Sequence, residues 1–135
     1  MSRRFVLDTN VISDVIKNFE PVVDRLKASF RDGDTLILVP PVDFEIRRGL
    51  SYVGAHRQIL IYDERLKTEL VWEALTDDDW IAASALWVEN RRLGKTSSDL
   101  DLLIAAQTRR LDASLITSDN DFESLPVTRV NWRLA

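Results

Sequence analysis

Apolar and polar positions along the chain change period repeatedly, and the changes mark out strands alternating with helices. The run Arg4-Phe5-Val6-Leu7-Asp8-Thr9-Asn10 begins as an apolar strand and closes on a carboxylate. Asn10 reads as the N-cap of a short helix whose Val11, Ile12, Val15 and Ile16 share a face. Pro21 suits a first helical turn, and Val22, Val23, Leu26 and Phe30 repeat at helical spacing until Arg31-Asp32-Gly33-Asp34 stops them. Residues 35–39 predict a second buried strand, and Pro40-Pro41 opens a helix bearing Val42, Ile46 and Leu50. The spacing of Ile59, Tyr62, Leu66 and Leu70 predicts one helix over 55–71, with a short strand at 70–74. Thr76 caps a helix over 77–93 that carries Trp80 and Trp87 and ends at Arg91, Arg92 and Gly94. Ser98 or Asp99 opens an apolar helix through Leu102-Leu103-Ile104-Ala105-Ala106, with Arg109-Arg110 at its carboxyl end. Residues 115–117 form a strand that exits at Ser118-Asp119, and a last strand covers 127–132.

Strands separated by helices imply an α/β fold with a mostly parallel central sheet, and such sheets bind ligands beyond the carboxyl ends of their strands. A length of 135 residues fits one domain over 1–135, and 45% hydrophobic with 30% charged residues reads as a soluble globular chain. No apolar run approaches the roughly 18 residues of a membrane helix, and the start of the chain leads directly into a strand. These features point to the cytoplasm. Cysteine is absent and histidine occurs once, at His56 in a polar stretch, which excludes disulfides, Cys/His zinc sites and cysteine nucleophiles.

Asp8 and Asp119 both follow apolar strands directly, so in a parallel sheet they emerge at the same edge and can meet. A lone carboxylate at a buried strand exit is costly. A group of them sharing a hard divalent cation is not, because Mg²⁺ takes oxygen ligands and offsets clustered charge. Asp101, in the first turn of its helix, is the favoured third acid, with Asp99 left to cap. Glu45 lies near a packed helix face, yet spacing alone favours a surface pair with Arg48. Asp77-Asp78-Asp79 follows Thr76 at a helix start and is accounted for by capping.

Gly94-Lys95-Thr96 lacks the earlier glycine of a phosphate-binding loop and follows a helix rather than a strand. The four tryptophans suit core or dimer packing better than base stacking. A net charge of −4, from 18 basic and 22 acidic residues, argues only weakly against a nucleic-acid partner. Four acids committed to a cation would bring the remainder into balance.

The segments Val6-Leu7-Asp8-Thr9-Asn10, Phe44-Glu45-Ile46-Arg47-Arg48-Gly49-Leu50, Asp101-Leu102-Leu103-Ile104-Ala105-Ala106 and Leu115-Ile116-Thr117-Ser118-Asp119 together resemble a PIN-domain protein of the VapC toxin type. They run in family order over almost the whole chain. The resemblance implies a three-layer α/β/α sandwich and a Mg²⁺- or Mn²⁺-dependent endoribonuclease acting on single-stranded RNA or RNA loops. It further implies a cognate antitoxin as partner and a homodimer. It places Asp8, Glu45, Asp101 and Asp119 at the metal, with Thr9, Asn10, Thr117 and Ser118 in support, and it is what raises Glu45 from a surface pair to a ligand. Asp99 beside Asp101 and Asp121 beside Asp119 leave the choice within each pair open.

On this reading a metal-activated water attacks phosphorus and leaves 5′-phosphate and 3′-hydroxyl ends. Arg47, Arg48, Arg91, Arg92 and Lys95 are candidate phosphate contacts. A catalytically inactive metal-binding or protein-interaction module of the same fold is the alternative. A phosphoacceptor receiver domain would require a lysine after a late strand, and residues 127–135 contain none.

Overall fold

The computed structural model describes residues 2–134 and places them around one five-stranded, wholly parallel sheet. β1 (Arg4–Leu7) and β2 (Thr35–Leu38) are buried along three of their four residues, as strands covered on both faces must be. Helices α1 (Thr9–Ile16) and α2 (Glu20–Arg31) connect them. α3 (Pro40–Tyr52) and α4 (His56–Ile61) follow β2 and lead to β3 (Val71–Trp72). α5 (Asp77–Arg92) and α6 (Asp99–Arg110) precede β4 (Ser114–Ile116), and the chain closes with β5 (Arg129–Val130).

The sheet order is β3-β2-β1-β4-β5. Connections step outward from β1 to β3, then cross back over β1 to β4. With right-handed crossovers, that reversal puts α5 and α6 on the opposite face from α1 to α4, giving the three-layer α/β/α arrangement. The crevice at the reversal lies between the carboxyl ends of β1 and β4. There Leu7 pairs with Ile116, and the Asp8 N–H extends the ladder to the Ile116 carbonyl at 3.0 Å.

Four sequence expectations change. Asp8, rather than Asn10, occupies the N-cap of α1; its carbonyl accepts the first helical hydrogen bonds while its side chain caps nothing. The helix expected over 55–71 divides into α4, a π turn at Tyr62–Leu66 and a 3₁₀ turn at Lys67–Glu69. The wide turn brings Tyr62 and Leu66 into the core, and the Tyr62 hydroxyl donates to Asp43 at 2.6 Å. The strand expected at 70–74 contracts to Val71–Trp72. The strand expected over 127–132 pairs only at Arg129 and Val130, and Trp132 turns inward to pack edge-on against Phe5 at 6.2 Å. Trp132 joins the core, whereas Trp80 and Trp87 on α5 remain about half exposed.

The start of β1 is clasped by a buried carboxylate. Asp34 accepts from the Ser29 hydroxyl at 2.7 Å, from the Arg3 N–H at 2.9 Å and from the Arg3 guanidinium at 3.0 Å. The Ser29 hydrogen bond first, then the Arg3 backbone, hold its pKa down at about 2. Arg133 reaches α1 through a two-pronged pair with Asp14, both contacts 2.8 Å. Arg110 grips Asp79 in the same fashion at 2.7 and 3.1 Å, while Asp79 completes the capping box with Thr76.

A depressed folded-state pKa means that Asp34 contributes stability above its unfolded value near 4, and that the contribution fades as pH falls toward 2. Asp34→Asn therefore lowers unfolding free energy by about 1–3 kcal/mol at pH 6. The gap narrows by pH 3, as urea melts at the two pH values will register; an equal gap at both would contradict the assignment.

Candidate active site

Four acids project over the carboxyl edge of the sheet, each delivered by a different element. Asp8 follows β1, Glu45 stands in the second turn of α3, Asp101 in the first turn of α6, and Asp119 follows β4. Asp8 is the most enclosed, at 4% exposure. α3 and α6, from opposite layers, touch over this edge, and that contact carries Glu45 and Asp101 toward Asp8.

Asp8 is held by a closed set of hydrogen bonds. The Thr117 hydroxyl accepts from the Asp119 N–H at 3.0 Å and from the Asn10 amide at 3.2 Å. Its single proton is thereby directed to Asp8 Oδ2, 2.7 Å away. Asn10 Nδ2 donates its second hydrogen to Asp8 Oδ2 at 3.2 Å, and Asn10 Oδ1 accepts from the Ser118 N–H at 3.2 Å. Glu45 is steadied separately: the Thr9 hydroxyl donates to Oε1 at 3.0 Å, and Arg48 Nη2 lies 3.8 Å from Oε2. The surface pair read from spacing and the place beside Asp8 are both real, on the two oxygens of one carboxylate. Ser98 caps α6 by accepting from the Asp101 N–H at 3.1 Å.

The electrostatics bind the four acids into one group. Burial pushes Asp8 up to about 6, against the lowering effect of Thr117 and the Thr9 N–H, and the charges of Glu45 and Asp119 push in the same direction. Asp101 also rises to about 6, through burial first, then Asp8, and to a lesser degree Glu45 and Asp119, against the lowering Ser98 hydrogen bond. Asp99 faces elsewhere, on the wall of an apolar groove of about 360 Å³ with Trp80, Trp87, Val88, Leu102 and Leu103. Asp121 lines a polar hollow of about 570 Å³ with Lys95, Thr96 and Asn120, and its N–H caps Asp119 Oδ1 at 2.8 Å.

An all-carboxylate donor set in which burial and neighbouring charge raise Asp8 and Asp101 fits a hard divalent cation and no thiophilic one. Among the described residues no three acids form a ready-made cage. None is required of Mg²⁺, which keeps several waters and takes one or two carboxylates. The resemblance implies a supporting place for Asn10, but spacing alone reads it as a helix cap, because its Thr117 and Ser118 partners lie more than 100 positions away.

The PIN-domain family model matches residues 5–127, and the chain belongs to that family. Among solved structures it is similar to a DNA-bound VapBC from Salmonella typhimurium, with 20% identity over 98% of this chain and 99% of the other and a TM-score of 0.84. It is also similar to VapBC2 from Rickettsia felis bound to a promoter DNA fragment, at 20% identity, 96% and 98% coverage and TM-score 0.80. VapC20 of Mycobacterium tuberculosis, described as a sarcin-ricin loop cleaving toxin, matches at 20% identity, 93% and 98% coverage and TM-score 0.73. At these identities the likeness establishes the fold. No curated protein matches the chain in sequence, and among the described residues no helix is long and apolar enough to cross a membrane.

A folded-state pKa raised above the unfolded one makes ionised Asp8 a destabilising charge above pH 6, an effect absent below about 4. In EDTA, Asp8→Asn is therefore more stable than the parent at pH 8, by an amount on the order of 1–3 kcal/mol, and gains nothing at pH 4. Denaturant melts at both values check this, and a less stable variant at pH 8 would refute the crowding of charge.

Proposed function

We propose that the chain is a Mg²⁺- or Mn²⁺-dependent endoribonuclease, the toxin of a toxin-antitoxin pair, acting on single-stranded RNA or RNA loops in the cytoplasm. The observation that carries the reading is the acid group itself, four carboxylates over one sheet edge with two of them pushed up to about 6. Structural acids pair closely with cations, as Asp34, Asp79 and Asp14 do here; in this group only Glu45 approaches one, Arg48 at 3.8 Å.

In this reading Asp8, Glu45, Asp101 and Asp119 would surround the ion, one or two of them directly and the others through its waters, and Asp99 and Asp121 would not. An ion held there would supply an acidified water as nucleophile and charge compensation for the departing oxygen. The water gives up a proton to solvent as its oxygen bonds to phosphorus, the P–O3′ bond breaks, and the 3′-oxygen takes a proton back from solvent. Thr117 and Asn10 keep Asp8 aimed and ionised, Thr9 fixes Glu45, and Ser98 holds the α6 terminus so that Asp101 faces the group. A single domain over 1–135 suffices for all of these roles.

The partners in this proposal are an antitoxin and a second copy of the chain. The antitoxin is supported by the similar structures, which include toxin-antitoxin complexes. Self-association is supported by Trp80, Ile81, Trp87 and Val88, which lie exposed along α5. Trp80→Glu with Trp87→Glu should convert a dimer to a monomer in size-exclusion chromatography with light scattering; unchanged mass would move the interface elsewhere.

Purified protein should cut single-stranded RNA with Mg²⁺ or Mn²⁺ and not in EDTA. Asp8→Asn and Asp101→Asn should reduce cutting to background, and Thr117→Val should lower it about 10–100-fold. Mg²⁺ should raise the parent's melting temperature and leave Asp8→Asn unmoved. Full cutting by Asp8→Asn would overturn the enzymatic reading in favour of an inactive module.

A further inference from the structure

The cations of this acidic chain divide by what they hold. Arg3, Arg47, Arg110 and Arg133 are engaged in carboxylate pairs that tie elements together, at Asp34, Asp63, Asp79 and Asp14. Arg48 and Arg129 lie against the acid group, and Lys95 stands one hollow further out. Arg48 approaches Glu45, with its guanidinium 5.0 Å over the Phe44 ring. Lys95 lines the polar hollow beside Asp121 and Asn120. Arg129 lines a second hollow, of about 510 Å³, with Thr117, Ser118, Asp119 and the same Asn120.

Sheet order sets these on two flanks. Glu45, Phe44 and Arg48 belong to α3, which follows β2 on one side of Asp8; Asp119 and Arg129 belong to β4 and β5 on the other. From β2 to β5 is three inter-strand steps, about 14 Å. Phe44 is the anomaly on the α3 flank, a ring 53% exposed beside an ionised pair. An aromatic face backed by a guanidinium next to a carboxylate is poorly suited to the core and well suited to a nucleobase.

Resting on the nuclease reading above, we infer that Phe44 and Arg48 form a platform that stacks a nucleobase and meets its phosphate on the Glu45 flank. Lys95 and Arg129 hold phosphates on the Asp119 flank, so that a single strand crosses the acid group between them. Stacking on Phe44 requires an unpaired base, which makes the platform a device for selecting single-stranded over duplex RNA.

The test uses the full chain and a fluorescent single-stranded RNA oligonucleotide, with binding read in EDTA and cutting in Mn²⁺. Phe44→Ala should weaken binding and raise KM about 5- to 150-fold, the loss of one stacked base, while kcat changes far less. Phe44→Trp should restore both, and Phe44→Leu, which keeps bulk but not the ring face, should not. Lys95→Gln and Arg129→Gln should each flatten the slope of log binding constant against log salt by about 0.7. Parent-like behaviour of Phe44→Ala or Phe44→Leu in a protein that cuts RNA would overturn the platform alone and return Phe44 to a protein contact. An unchanged salt slope would overturn the Asp119 flank. A parent that neither binds nor cuts RNA would overturn this inference together with the nuclease reading.

Discussion

The Thr117 hydroxyl has one proton, and the surroundings leave it one destination. Two donors, the Asp119 N–H and the Asn10 amide, occupy its lone pairs, so the O–H must point at Asp8. In a carboxylate that is 4% exposed and faces other acids, such a donor opposes the upward push of burial on its pKa. The same contact joins the ends of the two strands on either side of the sheet's reversal point, so the donor that favours the charged form of Asp8 also fixes the register of β1 against β4. The acids added by α3 and α6 depend on that fixed point, because each is positioned by its own helix and meets the others only over this edge.

Elements with strong periodicity were legible from sequence: the buried runs of β1, β2 and β4, and the helices opened by Pro40-Pro41, Thr76 and Ser98. What escaped were features decided by distant partners. Tyr62 was read as one position of a long helix, but its hydroxyl has a partner in Asp43, and burying the ring widens the turn into a π turn. Residues 127–132 carried the pattern of a strand, yet an edge position and the pull of Phe5 on Trp132 leave two residues paired.

The site divides along the same line. Asp8 and Asp119 could be paired by strand-end logic, and Asp101 by its place in a helix start. Glu45 could not, since its neighbour at helical spacing is Arg48 and the Thr9 contact that turns it inward spans 36 positions. Helix-start logic favours Asp101 over Asp99, and the structure adds that Asp101 lies within reach of the Asp8 charge. On a helix these two acids point apart, and the structure turns Asp99 to the tryptophan groove.

The distance along the chain between Asp8 and Thr117, 109 positions, also sets an order of assembly. Asp8 leaves the ribosome well before its proton donor, which follows 109 residues later. At about 5–20 residues per second, Asp8 waits roughly 5–20 seconds as an ordinary solvated carboxylate at the end of an unpaired strand. The acid group is thus assembled late: no nascent fragment short of β4 has the strand that encloses Asp8 or the hydroxyl that orients it. Every shorter fragment carries Asp8 without the group that surrounds it in the fold.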